Sequence, residues 1–168
     1  MQDKEVINIL QNQINFSSKS IEDLNIFVDA LIIANKKHNF ISKSTEADIW
    51  HRHILDSAQL VKFIDFSKGS LSDFGSGAGF PGLVLAIFNE NKDFHVKLYE
   101  KSPVKRAFLE EISIRLPVKV EIKGNVFEEI VDSDYVVSRA FKKLELIIQV
   151  SREIVKKSHK LIVLKGQN

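Results

Sequence analysis

Four of the chain's seven glycines fall within eight residues, in the segment Ser72-Asp73-Phe74-Gly75-Ser76-Gly77-Ala78-Gly79-Phe80-Pro81-Gly82. The segment lies between the β-type run Leu71–Phe74 and the apolar helical stretch Pro81–Phe88. A plain turn needs one or two glycines, not four. Glycine accepts φ > 0 and lets another group approach the backbone without meeting a Cβ. Pro81 suits the first turn of the helix that follows, where its missing N–H costs nothing. A strand–glycine turn–helix sits at the carboxyl edge of an open α/β sheet, where such folds bind ligands. Gly75, Gly77 and Gly79 are therefore candidate binding residues, and Asp73 is placed to order the turn.

The rest of the chain agrees with that fold class. Further short strand-like runs are His95–Tyr99, Val118–Ile122, Tyr135–Ser138 and Leu161–Leu164. Amphipathic stretches Val104–Leu116, Val126–Val131 and Phe141–Val155 separate them. This alternation predicts a parallel sheet with right-handed crossovers. Residues 1–66 read instead as helices. Val6, Ile7, Leu10 and Ile14 suggest a short one. Ile21, Leu24, Phe27, Val28, Leu31 and Ile32 form one stripe, with Ser20 and Asp23 as its expected start. Ser44 or Thr45 is expected to cap a third helix, with Trp50, Ile54, Ala58, Val61 and Ile64 on one face. The organisation expected is a helical cap, 1–66, packed as one unit on an α/β core, 67–168.

With 168 residues and 44% apolar content the chain can bury one ordinary core. It has no cysteine, which excludes a disulfide scaffold, thiolate metal sites and a cysteine nucleophile. His38, His51, His53, His95 and His159 show no ligand spacing supported by carboxylates, so no metal is expected. No apolar run approaches a membrane span, and a cytoplasmic monomer is expected. The net charge of +2 is uneven: residues 139–168 carry +6 and residues 54–138 carry −3. A local anionic contact near the basic end is the implication.

Two ligand classes fit the turn. Gly77-x-Gly79-x-x-Gly82 matches a dinucleotide fingerprint, with Glu100, 18 residues beyond Gly82, as the ribose acceptor. Gly75-x-Gly77-x-Gly79, with Asp73 two residues ahead, resembles the first motif of S-adenosylmethionine-dependent methyltransferases. The second register starts the glycines where the strand ends; the first leaves Gly75 and Ser76 spare. Glu100 ends the second strand and serves either ligand.

Four blocks together resemble one family. They are Arg52-His53-Ile54-Leu55-Asp56-Ser57, Asp73 through Gly82, Ser138-Arg139-Ala140-Phe141 and Leu164-Lys165-Gly166. Their order and spacing are similar to those of the bacterial 16S ribosomal RNA guanine-N7 methyltransferases of the G type, also called glucose-inhibited division protein B. The resemblance implies a class I, Rossmann-like methyltransferase sheet, all parallel in the order 3-2-1-4-5, with an N-terminal helical cap. It also implies S-adenosyl-L-methionine as cofactor, and 16S RNA or the small ribosomal subunit as partner, with guanine 527 as the target. By the same resemblance Gly75 and Phe80 line the cofactor, Val126 and Phe127 flank its adenine, and Arg139 and Lys165 end the fourth and fifth strands at the site.

Three departures accompany the resemblance. The family usually has an Arg and a Glu around the adenine pair, where this chain has Asn125-Val126-Phe127-Glu128. Ile41 stands where Thr is common. Members usually continue past the Lys-Gly pair through another helix and a strand pair, so the expectation is a core lacking those elements, with Leu161–Leu164 at an exposed edge.

Guanine N7 offers a lone pair and has no proton to remove, so the implied reaction needs no general base. It needs alignment of N7, methyl carbon and sulfur. Arg139, Lys165, His53 and Asp56 are candidate positioning residues, with Arg139 also on the cofactor and Lys165 and Arg52 on RNA. For His53 and Asp56 a hydrogen-bond network pinning the cap is the competing reading, and Trp50 reads as core. Two other functions compete: an NAD-type oxidoreductase, and a catalytically weakened RNA-binding or assembly protein.

Overall fold

Short β-rich runs joined by helices must return in the same direction, which builds a parallel sheet. In the computed structural model, which describes residues 3–139 and 143–165, the strands are β1 (Ser70–Phe74), β2 (His95–Tyr99), β3 (Val120–Lys123), β4 (Tyr135–Arg139) and β5 (Lys160–Leu164). They form one sheet in the order β3-β2-β1-β4-β5, with every adjacent pair parallel. This is the order that the family resemblance implies. The strand order reverses between β1 and β4, so a crevice opens at their carboxyl ends. β5 is an edge strand of the described sheet.

The helices are α1 (Asp3–Asn12), α2 (Ser18–His38), α3 (Lys43–Glu46), α4 (Asp56–Ala58), α5 (Gly82–Phe88), α6 (Pro103–Arg115) and α7 (Leu144–Ile154). Among the described residues no helix is long and apolar enough to cross a membrane.

Several expected boundaries move. Ser17 caps α2, its hydroxyl accepting the Ser20 N–H at 3.1 Å. Ser20 and Asp23 lie inside the helix: the Ser20 hydroxyl donates to the Ile87 carbonyl at 2.9 Å, and Asp23 pairs with Lys19 at 2.7 Å. The buried contact to Ile87 keeps Ser20 inside the helix and leaves Ser17 as the cap. Ser42, not Ser44 or Thr45, precedes α3. The third helix expected is broken into α3, a π-helical segment Trp50–Leu55, α4 and a 3₁₀ turn Gln59–Phe63. Pro81 precedes α5 instead of entering it. The expected stretch Val126–Val131 is a 3₁₀ turn of three residues, Val126–Glu128. It stops because Val131 is bound elsewhere, its N–H to the Ile154 carbonyl and its carbonyl to the Lys156 N–H, both at 2.9 Å. The expected helix start at Phe141 lies outside the described residues.

The larger core joins the cap, α5 and α6 to one face of the sheet. α5 is apolar on all sides and six of its seven residues are buried, because the cap covers the side the sheet does not. Phe27 of α2 is fully buried, with its ring centroid 5.2 Å from that of Phe80 and 6.4 Å from that of Phe108. On the other face a smaller cluster holds Phe74, Tyr99, Val136, and Ile147 and Val150 of α7.

Because Phe27 joins the cap to the turn and to α6, Phe27→Ala is expected to cost about 3–5 kcal/mol. The loss should appear at one midpoint in urea, by both far-UV ellipticity and fluorescence of Trp50, the sole tryptophan. Separate midpoints for the two probes would show that cap and sheet unfold independently.

Candidate active site

β1 ends at Phe74, so the turn opens at Gly75, with φ of +79° there, +57° at Gly77 and +112° at Gly79. These left-handed values are what the glycines supply. The turn is tied to β2 at several points. Gly75 and Ser76 N–H both donate to the Tyr99 carbonyl at 2.9 Å, and Gly77 N–H donates to Glu100 Oε2 at 2.8 Å. The other Glu100 oxygen accepts the Ser102 N–H at 2.8 Å, at the start of α6. A cavity of about 440 Å³ lies against this edge. Gly75, Gly77, Phe80, Glu100, Val126, Phe127 and Arg139 are all on its wall.

Arg139 closes one side. Its Nη1 donates to His53 Nδ1 at 2.8 Å and reaches the Arg52 carbonyl at 3.4 Å. Its guanidinium carbon sits 4.9 Å from the Phe80 ring centroid. No carboxylate among the described residues pairs with it; Asp56 and Asp73 act on it at longer range. Burial, then the guanidiniums of Arg139 and Arg52, pushes the His53 imidazole down to about 4. His53 is therefore neutral at pH 7, and Nδ1 is its acceptor.

A sequence profile described as rRNA small subunit methyltransferase G matches residues 20–168. Ribosomal RNA small subunit methyltransferase G of Pelagibacter ubique is 37% identical over 166 residues, covering 95% of this chain and 78% of that protein. The chain belongs to this family of rRNA methyltransferases. Coclaurine N-methyltransferase shares the fold with a TM-score of 0.55 at 18% identity, over 96% of this chain and 56% of that one. Precorrin-6y C5,15-methyltransferase from Geobacter metallireducens gives a TM-score of 0.53 at 14% identity, over 65% and 60%. The chain spans less than two thirds of either solved chain, and both support the class I methyltransferase fold.

Against the family pattern, the residues sort by position. Asp73 is fully buried behind the turn and off the cavity wall. Its Oδ2 accepts the Gly82 N–H at 2.9 Å, and its Oδ1 has no partner. It orders the turn instead of facing a ligand. Gly79 is also off the wall: a Cβ there would stand 3.1 Å from Phe27 Cζ, so its contact is with the cap. His53 and Asp56 do not pair; Asp56 takes a weak bond from Gln59 at 3.4 Å. Arg52 is exposed and bound to Asp48 at 3.6 Å. Lys165 is exposed, one residue past the Leu164 that pairs with Arg139 across the sheet. Gly166 and Ala140 lie outside the described residues. Trp50 is buried. Asn125 and Glu128, on either side of Val126 and Phe127, bond to each other, Asn125 Nδ2 donating to Glu128 Oε1 at 3.0 Å.

Sequence reasoning missed Phe40, Ile41, Lys101 and Lys105 on the cavity wall. Phe40 and Ile41 come from the connector after α2, which bends back at Asn39 with φ of +50°. Asn35 holds it there by accepting the Ile41 N–H at 2.9 Å. The signal available was an Asn at a helix end followed by two apolar residues in a polar connector.

Burial pushes the Asp73 carboxyl up to about 7, against the Gly82 N–H, which favours the ionised form. The unfolded carboxyl titrates near 3.8. Between those values the folded chain holds a proton that the unfolded chain has released, so this group's contribution to stability falls as pH rises. Asp73→Asn keeps an acceptor for Gly82 and removes the titration. Its stability relative to the parent should improve from about pH 4 to about pH 7, by up to ~1.4 kcal/mol per pH unit. Urea titrations across that range check it; a pH-independent difference would mean that Asp73 titrates as an exposed carboxylate.

Proposed function

We propose that this rRNA methyltransferase transfers a methyl group from S-adenosyl-L-methionine to N7 of a specific guanine in 16S ribosomal RNA. The observation that carries the cofactor reading is the turn: it opens at Gly75, where β1 ends, directly onto an edge cavity of about 440 Å³. That volume falls within the range of small-molecule sites. The dinucleotide alternative would begin at Gly77, two residues too late.

The wall fits the parts of the proposed ligand. A Cβ on Gly77 would meet nothing nearer than the Gly75 carbonyl at 4.0 Å, so the space beyond Gly77 belongs to the cavity. Each Glu100 oxygen spends one lone pair on a backbone N–H and keeps another for a ribose hydroxyl. Val126 is buried and Phe127 is 47% exposed, together forming the surface proposed to hold adenine. Arg139, with no carboxylate partner, is left to meet a carboxylate or phosphate. The cofactor supplies a methyl group already activated on a sulfonium.

For N7 the protein has to align the base, not deprotonate it. A neutral His53 suits this, because a second cation beside Arg139 would oppose the positive charge that the purine gains. Arg139 binding N7 itself would occupy the nucleophile, so its partner is the cofactor carboxylate, a phosphate or O6. Lys165 and Arg52, exposed on the same edge, are assigned to RNA phosphates.

Calorimetric titration with S-adenosylmethionine and with NAD, followed by mass mapping of 16S RNA from cells with and without the gene, tests the proposal. Expected are binding of the first, none of the second, and loss of one N7-methylguanine without the gene. Cofactor binding with no change in the RNA would leave the assembly-protein reading.

Gly77→Val should abolish cofactor binding in a folded chain, since its side chain enters the cavity. Arg139→Ala should raise the Kd for S-adenosylmethionine about ten- to a hundredfold, the loss of one charge-assisted bond. Lys165→Ala should spare that Kd and flatten the plot of log K for 16S RNA fragments against log salt by about one unit. The reverse pattern would exchange the two assignments.

A further inference from the structure

The segment Trp50–Leu55 departs from α-helical geometry into six π-helical residues. Such departures inside a helix are frequent at functional sites. In this segment Trp50, Ile54 and Leu55 stay in the core. His53 is also buried, with its ring 4.9 Å from Phe80 at 23°. The His53 carbonyl accepts the buried Ser57 hydroxyl at 2.6 Å, which secures the backbone at the irregular turn. The Arg-His-Ile-Leu-Asp-Ser block thereby has a physical account. Ile54 and Leu55 anchor it, Ser57 fastens its backbone, and His53 reaches β4.

Arg139 and His53 both lie against the Phe80 ring and are joined at 2.8 Å. A guanidinium has five N–H donors in a fixed plane. Holding Nη1 on His53 and Arg52 while Phe80 supports the group leaves the remaining donors for the cavity. His53 Nε2 is buried with no partner. A ring kept for packing alone would be better as phenylalanine, because an unpartnered buried donor is destabilising.

We propose that His53 is a positioning residue: by accepting from Arg139 through Nδ1, it fixes the guanidinium in the orientation that receives the anionic end of the cofactor. The inference rests on the proposed cofactor reading. It makes the helical cap part of the site, since the acceptor comes from the cap and the cation from the sheet.

The test is a double-mutant cycle on the full chain, read as the Kd for S-adenosylmethionine by calorimetry, with thermal melts of each variant. His53→Phe keeps a ring on Phe80 and removes the acceptor. It should melt no lower than the parent and raise the Kd about tenfold, as for loss of one hydrogen bond to a charged group. His53→Asn sets a carboxamide oxygen near the Nδ1 position and should return the Kd to within about threefold of the parent. His53→Gln, whose oxygen lies one carbon farther out, should not. Combined with Arg139→Ala, His53→Phe should add less than about twofold, because the two act through one contact.

Full additivity with Arg139→Ala would overturn the inference, as would failure of His53→Asn to rescue. If His53→Phe does not fold, the comparison of Asn with Gln carries the test. If the parent chain binds no S-adenosylmethionine, the cofactor reading fails first. If the parent binds it and Arg139→Ala weakens it while every His53 variant binds as the parent does, only the positioning role fails.

Discussion

The hydrogen bond from the Gly82 N–H to the buried Asp73 carboxyl fixes where the glycine turn closes, and most of the site follows from that closure. Asp73 is on β1 and Gly82 is the first residue of α5, so the bond spans the whole turn. It leaves no room for a side chain at Gly82, where a Cβ would lie 2.6 Å from Asp73 Oδ2 and would also meet Leu98. With the turn closed, the N–H groups of Gly75, Ser76 and Gly77 reach Tyr99 and Glu100 of the neighbouring strand region. The cavity is the space this folded-back backbone leaves at the sheet edge. Asp73 bears the cost, with one oxygen unpartnered and its carboxyl pushed toward the protonated form.

The helical cap completes what the turn begins. Phe27 packs on Phe80, and the Ser20 hydroxyl holds the Ile87 carbonyl near the end of α5. The cap also reaches the ligand edge at two places: Phe40 and Ile41 join the cavity wall, and His53 meets Arg139. Phe80 is shared by these contacts, touching Phe27, His53 and Arg139 at once. A shift of α2 or of the π-helical segment would therefore be felt at the guanidinium, through packed rings and one hydrogen bond.

Charge is placed with the same economy. The carboxylates near the site are committed: Glu100 to two backbone N–H groups, Asp48 to His51 and Arg52. Arg139 is the cation on the wall that ends a central strand without a carboxylate partner among the described residues. Lys101 and Lys105 stand on the wall toward α6. Lys165 stands at the neighbouring strand end, outside the cavity. A ligand with an acidic end, and a polyanion passing over the edge, both meet uncommitted positive charge.

The sequence by itself determined the parallel strand–helix alternation and the place of the turn, because both rest on short-range signals; the strand order came with the family resemblance. Strand runs of β-branched and aromatic residues, helical stretches between them and four glycines in eight residues are visible without knowing what packs where. It did not determine the cap of α2: Ser20 and Asp23 were expected at the start, but the buried partner that draws Ser20 into the helix is 67 residues away. It did not show the π-helical segment, because apolar spacing was matched to a 3.6-residue period that the chain abandons at Trp50. It overstated Val126–Val131, where a few apolar residues imitate a helix while Val131 bonds to Ile154 and Lys156 at the end of α7. It identified Arg139 and His53 separately. Their contact joins residues 86 positions apart, and its strength depends on burial that lowers the imidazole pKa and keeps carboxylates at a distance. Pairing, burial and charge state are properties of surroundings, and surroundings are set only when the cap has closed over the sheet.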